Sequence, residues 1–229
     1  MTSPPLLVLN PNCTGWMTGR VVQQVQRRLA GRAAVDPLTV DDGPPVIDDA
    51  ASFAAGATAA QRALPARLAE RPVTGGVLLA CFGDPGLEAL RAMAAPRPVH
   101  GLAEAAMCQA TARGLRFAVL TCGPAWVALL TQRAHDFGLA DALSGVYALP
   151  VNGRALAEAP ARWQGELQAA ADRAAREGAQ ALVLGGAAFA GLGGLIDSPL
   201  PVIDAIDAAT DALLRDGPAA WRTVAAAGP

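Results

Sequence analysis

The chain has 229 residues, 52% of them hydrophobic and 17% charged, with a formal net charge of −2. That length makes one large domain or two small ones, with enough core to fold without disulfide or metal staples. A near-neutral balance argues against a dedicated nucleic-acid or polyanion binder, which would show a basic excess. The complete absence of lysine excludes P-loop and Schiff-base chemistry. With only His100 and His135, a three-histidine zinc centre is excluded as well. The reactive inventory is four cysteines, two histidines and the carboxylates.

In chain order, short apolar runs alternate with helical patterns, the signature of a parallel α/β fold. Leu6–Leu9 predicts a buried strand. Met17, Val21, Val25 and Leu29 then predict a helix ending near Gly31. A second strand at Leu38–Val40 and an alanine-rich helix from about Ala50 to Glu70 follow. A third strand spans Val77–Ala80, and Pro98–His100 is the fourth. The order then repeats: strand Phe117–Leu120, helix from about Ala125 to Phe137, strand Val146–Leu149, helix from about Ala161 to Glu177, strand Leu182–Leu184 and strand Pro201–Ile203. Cys81 directly follows the third strand as Gly186 follows Leu182–Gly185, and the segment 98–106 mirrors 201–209. This internal duplication predicts two doubly wound lobes, with a ligand site where the carboxyl ends of their strands face each other.

Cys13, Cys81, Cys108 and Cys122 show no Cys-x-x-Cys spacing. The amino-terminal stretch lacks the basic start of a signal peptide, and no apolar run reaches membrane-spanning length. A cytoplasmic protein with free thiols is expected, with no nucleic-acid or membrane partner.

The strand-end segments carry the polar chemistry: Asn10-Pro11-Asn12-Cys13-Thr14, Cys81-Phe82-Gly83-Asp84-Pro85-Gly86, Thr121-Cys122-Gly123-Pro124 and Gly185-Gly186-Ala187-Ala188. Asp84 suits a helix N-cap and Pro85 a first helical position. Cys81 would then lie beside a helix N-terminus that favours thiolate, with Gly83 and nearby N–H groups open to a carboxylate or enolate. The residues alone leave open a second reading, a buried cysteine closing a core strand. Among the remaining candidates, His100 is expected to be packed or hydrogen-bonded, and His135 on the surface or packed. Cys108 is expected in the core, and Trp16 and Trp126 in packing at the start of each lobe's first helix or, as the second alternative, in the wall of the site. The aspartates 41, 42, 48 and 49 are expected in a solvated, helix-capping loop that borders the pocket, rather than in a metal site.

Leu9-Asn10-Pro11-Asn12, the Cys81–Gly86 run and Leu184-Gly185-Gly186-Ala187 resemble the aspartate/glutamate/hydantoin racemase superfamily, closest to its hydantoin racemase branch. The likeness covers essentially the whole chain. It implies two pseudo-symmetric flavodoxin-like lobes, each a parallel four-stranded sheet flanked by helices. Residues 1–98 plus 206–229 would form the first lobe and residues 99–205 the second, with a helix near Ala205–Ala226 packed back on the first. It implies a cofactor-independent enzyme, expected as a homo-oligomer, acting on a small carbon acid such as a hydantoin, a ureide or an amino-acid derivative. Two cysteines, one per lobe, would flank the reacting carbon. Cys81 matches the first. Asn10, Asn12, Phe82, Gly83, Thr121, Gly186 and Ala187 correspond to the substrate-binding surface. The second cysteine's place is held by Gly186, and Cys13 stands where threonine is commoner. Three readings accommodate the glycine: Cys122 supplies the second acid; Cys81 works alone as in a malonate-type decarboxylase or isomerase; or the protein binds a carboxylate or ureide without chemistry.

Overall fold

The computed structural model describes residues 3–222. β1 (Leu6–Asn10) leads into α1 (Gly15–Leu29), β2 (Val35–Thr39), α2 (Ala50–Glu70), β3 (Gly76–Leu79), α3 (Leu87–Ala94), β4 (Val99–Gly101) and α4 (Leu102–Thr111). The second series is β5 (Phe117–Cys122), α5 (Ala125–Asp136), β6 (Leu143–Leu149), α6 (Gly153–Glu158), α7 (Gln164–Arg176), β7 (Ala181–Leu184) and β8 (Val202–Asp204), closed by α8 (Ala205–Asp216) and α9 (Ala219–Arg222). The sheets run β2-β1-β3-β4 and β6-β5-β7-β8, and every pairing is parallel. The duplication read from the sequence is therefore a duplication of topology.

Both faces of these parallel strands are covered by helices, which is why each reads as a continuous apolar run. Alternation splits each run between two clusters. Leu6, Val8 and Leu78 of the first sheet join Phe117, Val119 and Val183 of the second in one inner cluster, filled in by α1, α4 and α8. Leu7, Leu9, Val77 and Leu79 face outward onto α2 and α3. Ala118, Leu120, Leu182 and Leu184 face outward onto α7.

Several elements differ from expectation. The carboxy-terminal helix breaks at Gly217-Pro218, because proline cannot donate into an ongoing helix. α8 packs on α1, α4 and β3, and Trp221 Nε1 donates to Pro4 O at 2.7 Å. The residues beyond 222 lie outside the described part. β4 pairs with β3, so the first sheet runs past residue 98. α6 was not anticipated, and the helix expected from Ala161 begins as a 3₁₀ turn at Pro160–Trp163 before α7. Cys108 is exposed rather than core: α4 buries Leu102, Ala103, Ala106, Met107 and Ala110, which turns the Glu104–Cys108–Thr111 stripe outward.

Candidate active site

The carboxyl ends of both sheets border one cavity of about 650 Å³. It holds most of the expected site residues together: Asn12, Cys81, Phe82, Thr121, Cys122, Gly186 and Ala187 all line it. Asn10 and Gly83 do not. Asn10 is fully buried behind the wall, and its Nδ2 donates to Asn12 Oδ1 at 3.0 Å and to Thr18 Oγ1 at 2.9 Å. It holds Asn12 in place. Asn12 Oδ1 also accepts from Thr14 N at 2.9 Å, which leaves its Nδ2 without a partner among the described residues. Gly83, with φ +112°, packs under aromatic rings: a Cβ there would come within 2.8 Å of Trp126 and 3.1 Å of Phe53. Its glycine serves packing rather than ligand approach.

Strand register places the sulfurs. Leu9 pairs with Leu79 and Leu120 with Leu184, so Cys81 and Gly186 occupy equivalent positions just beyond β3 and β7. Extending the second pairing by two residues sets Cys122, the last residue of β5, beside Gly186. The corresponding position in the first lobe is Pro11. A Cβ on Gly186 would find only Phe82 Cβ, at 3.8 Å. Gly185 is different: a Cβ there would meet the Phe82 ring at 2.7 Å and Leu120 O at 3.1 Å, so this glycine lets Phe82 lie across the lobe junction.

The expected helix beside Cys81 is absent. α3 starts only at Leu87, capped by Gly86 in the left-handed region, and Asp84 turns its carboxylate away to another helix. Cys81 therefore has no adjoining helix N-terminus to stabilise a thiolate. Burial, reinforced by the Asp84 carboxylate, pushes the Cys81 thiol well up. Among the described residues the thiol's one hydrogen bond is a long one to Phe82 O at 3.8 Å. Burial likewise pushes Cys122 up to about 12. Both thiols are therefore held in the protonated form at neutral pH.

The remaining wall is apolar with a few unspent polar groups. Thr121 Oγ1 has no hydrogen-bond partner among the described residues, nor do the backbone N–H groups of Phe82, Gly186 and Ala187. Trp16 and Trp126 both line the cavity, the second of the two places expected for them, and Trp126 also packs against the inner cluster. Trp16 is 40% exposed, and Trp126 stands edge-on to Phe53 at 6.4 Å. The loop 41–49 supplies Val46, Ile47 and Asp48 to the lining, while Asp49 caps α2 through Ser52. Asn152, Arg154 and Phe189 also line the cavity and were not anticipated. The duplication was the available signal for Asn152, which follows β6 as the 41–49 loop follows β2. His100 is hydrogen-bonded to Asp216 at 2.9 Å, away from this wall, and His135 is exposed.

Known proteins share this architecture. The chain is 32% identical to a hydantoin racemase of Rhizobium meliloti over 224 residues, 92% of this chain and 88% of the relative. The solved structure of an allantoin racemase from Klebsiella pneumoniae is 27% identical and superposes with a TM-score of 0.78 over 93% of this chain and 88% of that one. An allantoin racemase from Pseudomonas fluorescens gives 0.80 at 22% identity, over 98% of this chain and 99% of that one. The family model for Asp/Glu/hydantoin racemases matches residues 6–213, and the chain belongs to that family.

Proposed function

We propose that the protein is a cofactor-independent racemase acting on a small carbon acid, with the Cys81 thiolate as the base on one face. Hydantoins are the first substrates to test, because the relatives at about 30% identity carry that name. The observation that carries the reading is that two cysteines from different sheets, Cys81 after β3 and Cys122 at the end of β5, line the same cavity. In the forward direction Cys81 S⁻ takes the α-hydrogen as a proton, and the electron pair moves onto the neighbouring carbonyl as an enolate. Cys122 S–H then returns a proton from the other side, leaving Cys81 protonated and Cys122 as thiolate. The reverse reaction exchanges the two roles.

A thiol and a carbon acid are far apart in acidity, so the enolate must be held. The free N–H groups of Phe82, Gly186 and Ala187, with the Thr121 hydroxyl and the Asn12 amide, are donors of the required kind. Burial makes the Cys81 thiolate scarce and correspondingly basic. The apolar wall, including Trp16, Trp126 and Phe82, lowers the polarity around the intermediate and so strengthens its hydrogen bonds.

One observation favours a second reading. Cys122 packs among Leu120, Leu149 and Leu156 in the outer cluster, and Gly186 offers no side chain. A one-sided reaction at Cys81 follows if Cys122 does not reach the carbon. Hydrogen exchange in D₂O, followed by NMR on each enantiomer of a 5-substituted hydantoin, separates the readings. C81A is expected to abolish inversion of both enantiomers and exchange of the one that Cys81 deprotonates. Wild-type enzyme is expected to exchange both enantiomers with inversion; exchange of one enantiomer with retention selects the one-sided reaction. A C81A enzyme that still exchanges both enantiomers refutes the assignment of the base.

A further inference from the structure

The two lobes cap their matching helices differently. In the second lobe, Asp204 ends β8 and caps its own helix: its Oδ1 accepts from Ile206 N at 2.8 Å and Asp207 N at 3.3 Å. The equivalent residue of the first lobe is Gly101, since Leu79 pairs with Gly101 as Leu184 pairs with Asp204. Gly101 is the N-cap residue of α4, has the extended backbone of a cap (φ −90°, ψ 161°), and has no side chain to do the capping. The carboxylate of Asp84 does it from outside, accepting from Ala103 N at 3.0 Å and Glu104 N at 2.8 Å. It occupies the space a side chain at 101 would take, because a Cβ there would fall within 2.2–2.5 Å of the Asp84 carboxyl atoms.

Asp84 belongs to the turn that carries Cys81. Its N–H donates to Cys81 O at 3.2 Å, its own carbonyl accepts from Leu87 N at 3.3 Å, and its backbone sits in the left-handed region at φ +59°. An aspartate there is held against its conformational preference by its side-chain bonds. α4 packs on α8 and on β5, β7 and β8. The turn bearing the first sulfur is thus tied to the helix that also touches the opposite sheet.

We infer that Asp84 is a positioning residue: by capping α4 in place of Gly101, it locks the Cys81 turn in register with the second lobe. The inference rests on Cys81 being the base. Nothing at the matching position of the second lobe does this work, since the residue there is Phe189 and α8 is capped locally.

The capping and tethering roles are separable by moving the carboxylate. D84G removes both and is compatible with the positive φ. D84G/G101D returns a carboxylate to the end of α4 as a local cap, as at Asp204, and leaves the turn untied. Four quantities are measured: melting temperature, the rate of Cys81 alkylation by iodoacetamide read by peptide mass, and kcat and KM for hydantoin exchange. The double variant is expected to regain the melting temperature lost in D84G. It is expected to keep a kcat lowered by about tenfold or more with little change in KM, and a Cys81 alkylated faster than in the wild type. A double variant with wild-type kcat and wild-type alkylation rate overturns the tether and leaves Asp84 a helix cap. A C81A protein that keeps its exchange rate instead overturns the base on which the tether acts.

Discussion

Moving the second thiol one strand across is the sharpest test of the two-sided site. C122A removes the sulfur at the end of β5, and G186C in that background restores one beyond β7, where the first lobe carries Cys81. The two positions are neighbours across a strand spacing of about 4.8 Å. Sterically the new side chain is accommodated, because its Cβ meets only Phe82 Cβ at 3.8 Å, an ordinary contact. The backbone opposes it: φ of +112° is glycine territory, and holding another residue there costs about 1–3 kcal/mol. For a chain of this size that lowers the melting temperature by about 2–12 °C. Losing a general acid costs about 10²- to 10⁴-fold in rate, so C122A is expected to lose inversion by that factor while the double variant recovers most of it. Inversion is followed by chiral chromatography and exchange by NMR in D₂O. Undiminished racemisation in C122A removes Cys122 from the reaction. A folded C122A/G186C protein that stays unable to invert refutes the equivalence of position 186 with Cys81.

Two further outcomes follow from the site. Burial raises both thiols, and the thiolate is the form that abstracts the α-hydrogen. kcat/KM for exchange should therefore climb about tenfold per pH unit from pH 6 to 9 without the plateau of an ordinary thiol; a plateau below pH 8 in the pH–rate profile contradicts it. N10A strips Asn12 and Thr18 of buried hydrogen bonds at 3.0 and 2.9 Å. It should lower stability by about 1–3 kcal/mol in urea unfolding and raise KM for the hydantoin, although Asn10 never reaches the cavity. An unchanged KM would separate Asn10 from substrate binding.

The fold was legible because strands buried on both faces leave uninterrupted apolar runs. Leu6–Leu9, Val77–Ala80 and Phe117–Leu120 could be placed to within a residue or two, and the repeat supplied their order. α2 was found at its observed ends, where an Asp49–Ser52 capping box starts the helix. What escaped was non-local. Asp84 followed by Pro85 has the local form of an N-cap, yet its side chain serves a helix that starts at Leu102; only the missing side chain at Gly101 hinted at this. Cys108 and Cys122 both sit in apolar surroundings by sequence, and the rotation of α4 alone decides that the first is exposed. Trp16 and Trp126 follow helix periodicity as well as any packing residue, and only the facing of the two sheets turns them into walls. α6 is short and cut off by Pro160, too brief to establish a period.

The inner cluster that draws on both sheets restricts how a substrate can come in. Parting the halves like the covers of a book would strip Leu6, Val8, Phe117, Val119 and their helical neighbours of shared packing and wet them together. Ingress is therefore a matter for the rim of the cavity, where its exposed lining residues Trp16 and Val46 lie outside that common interior.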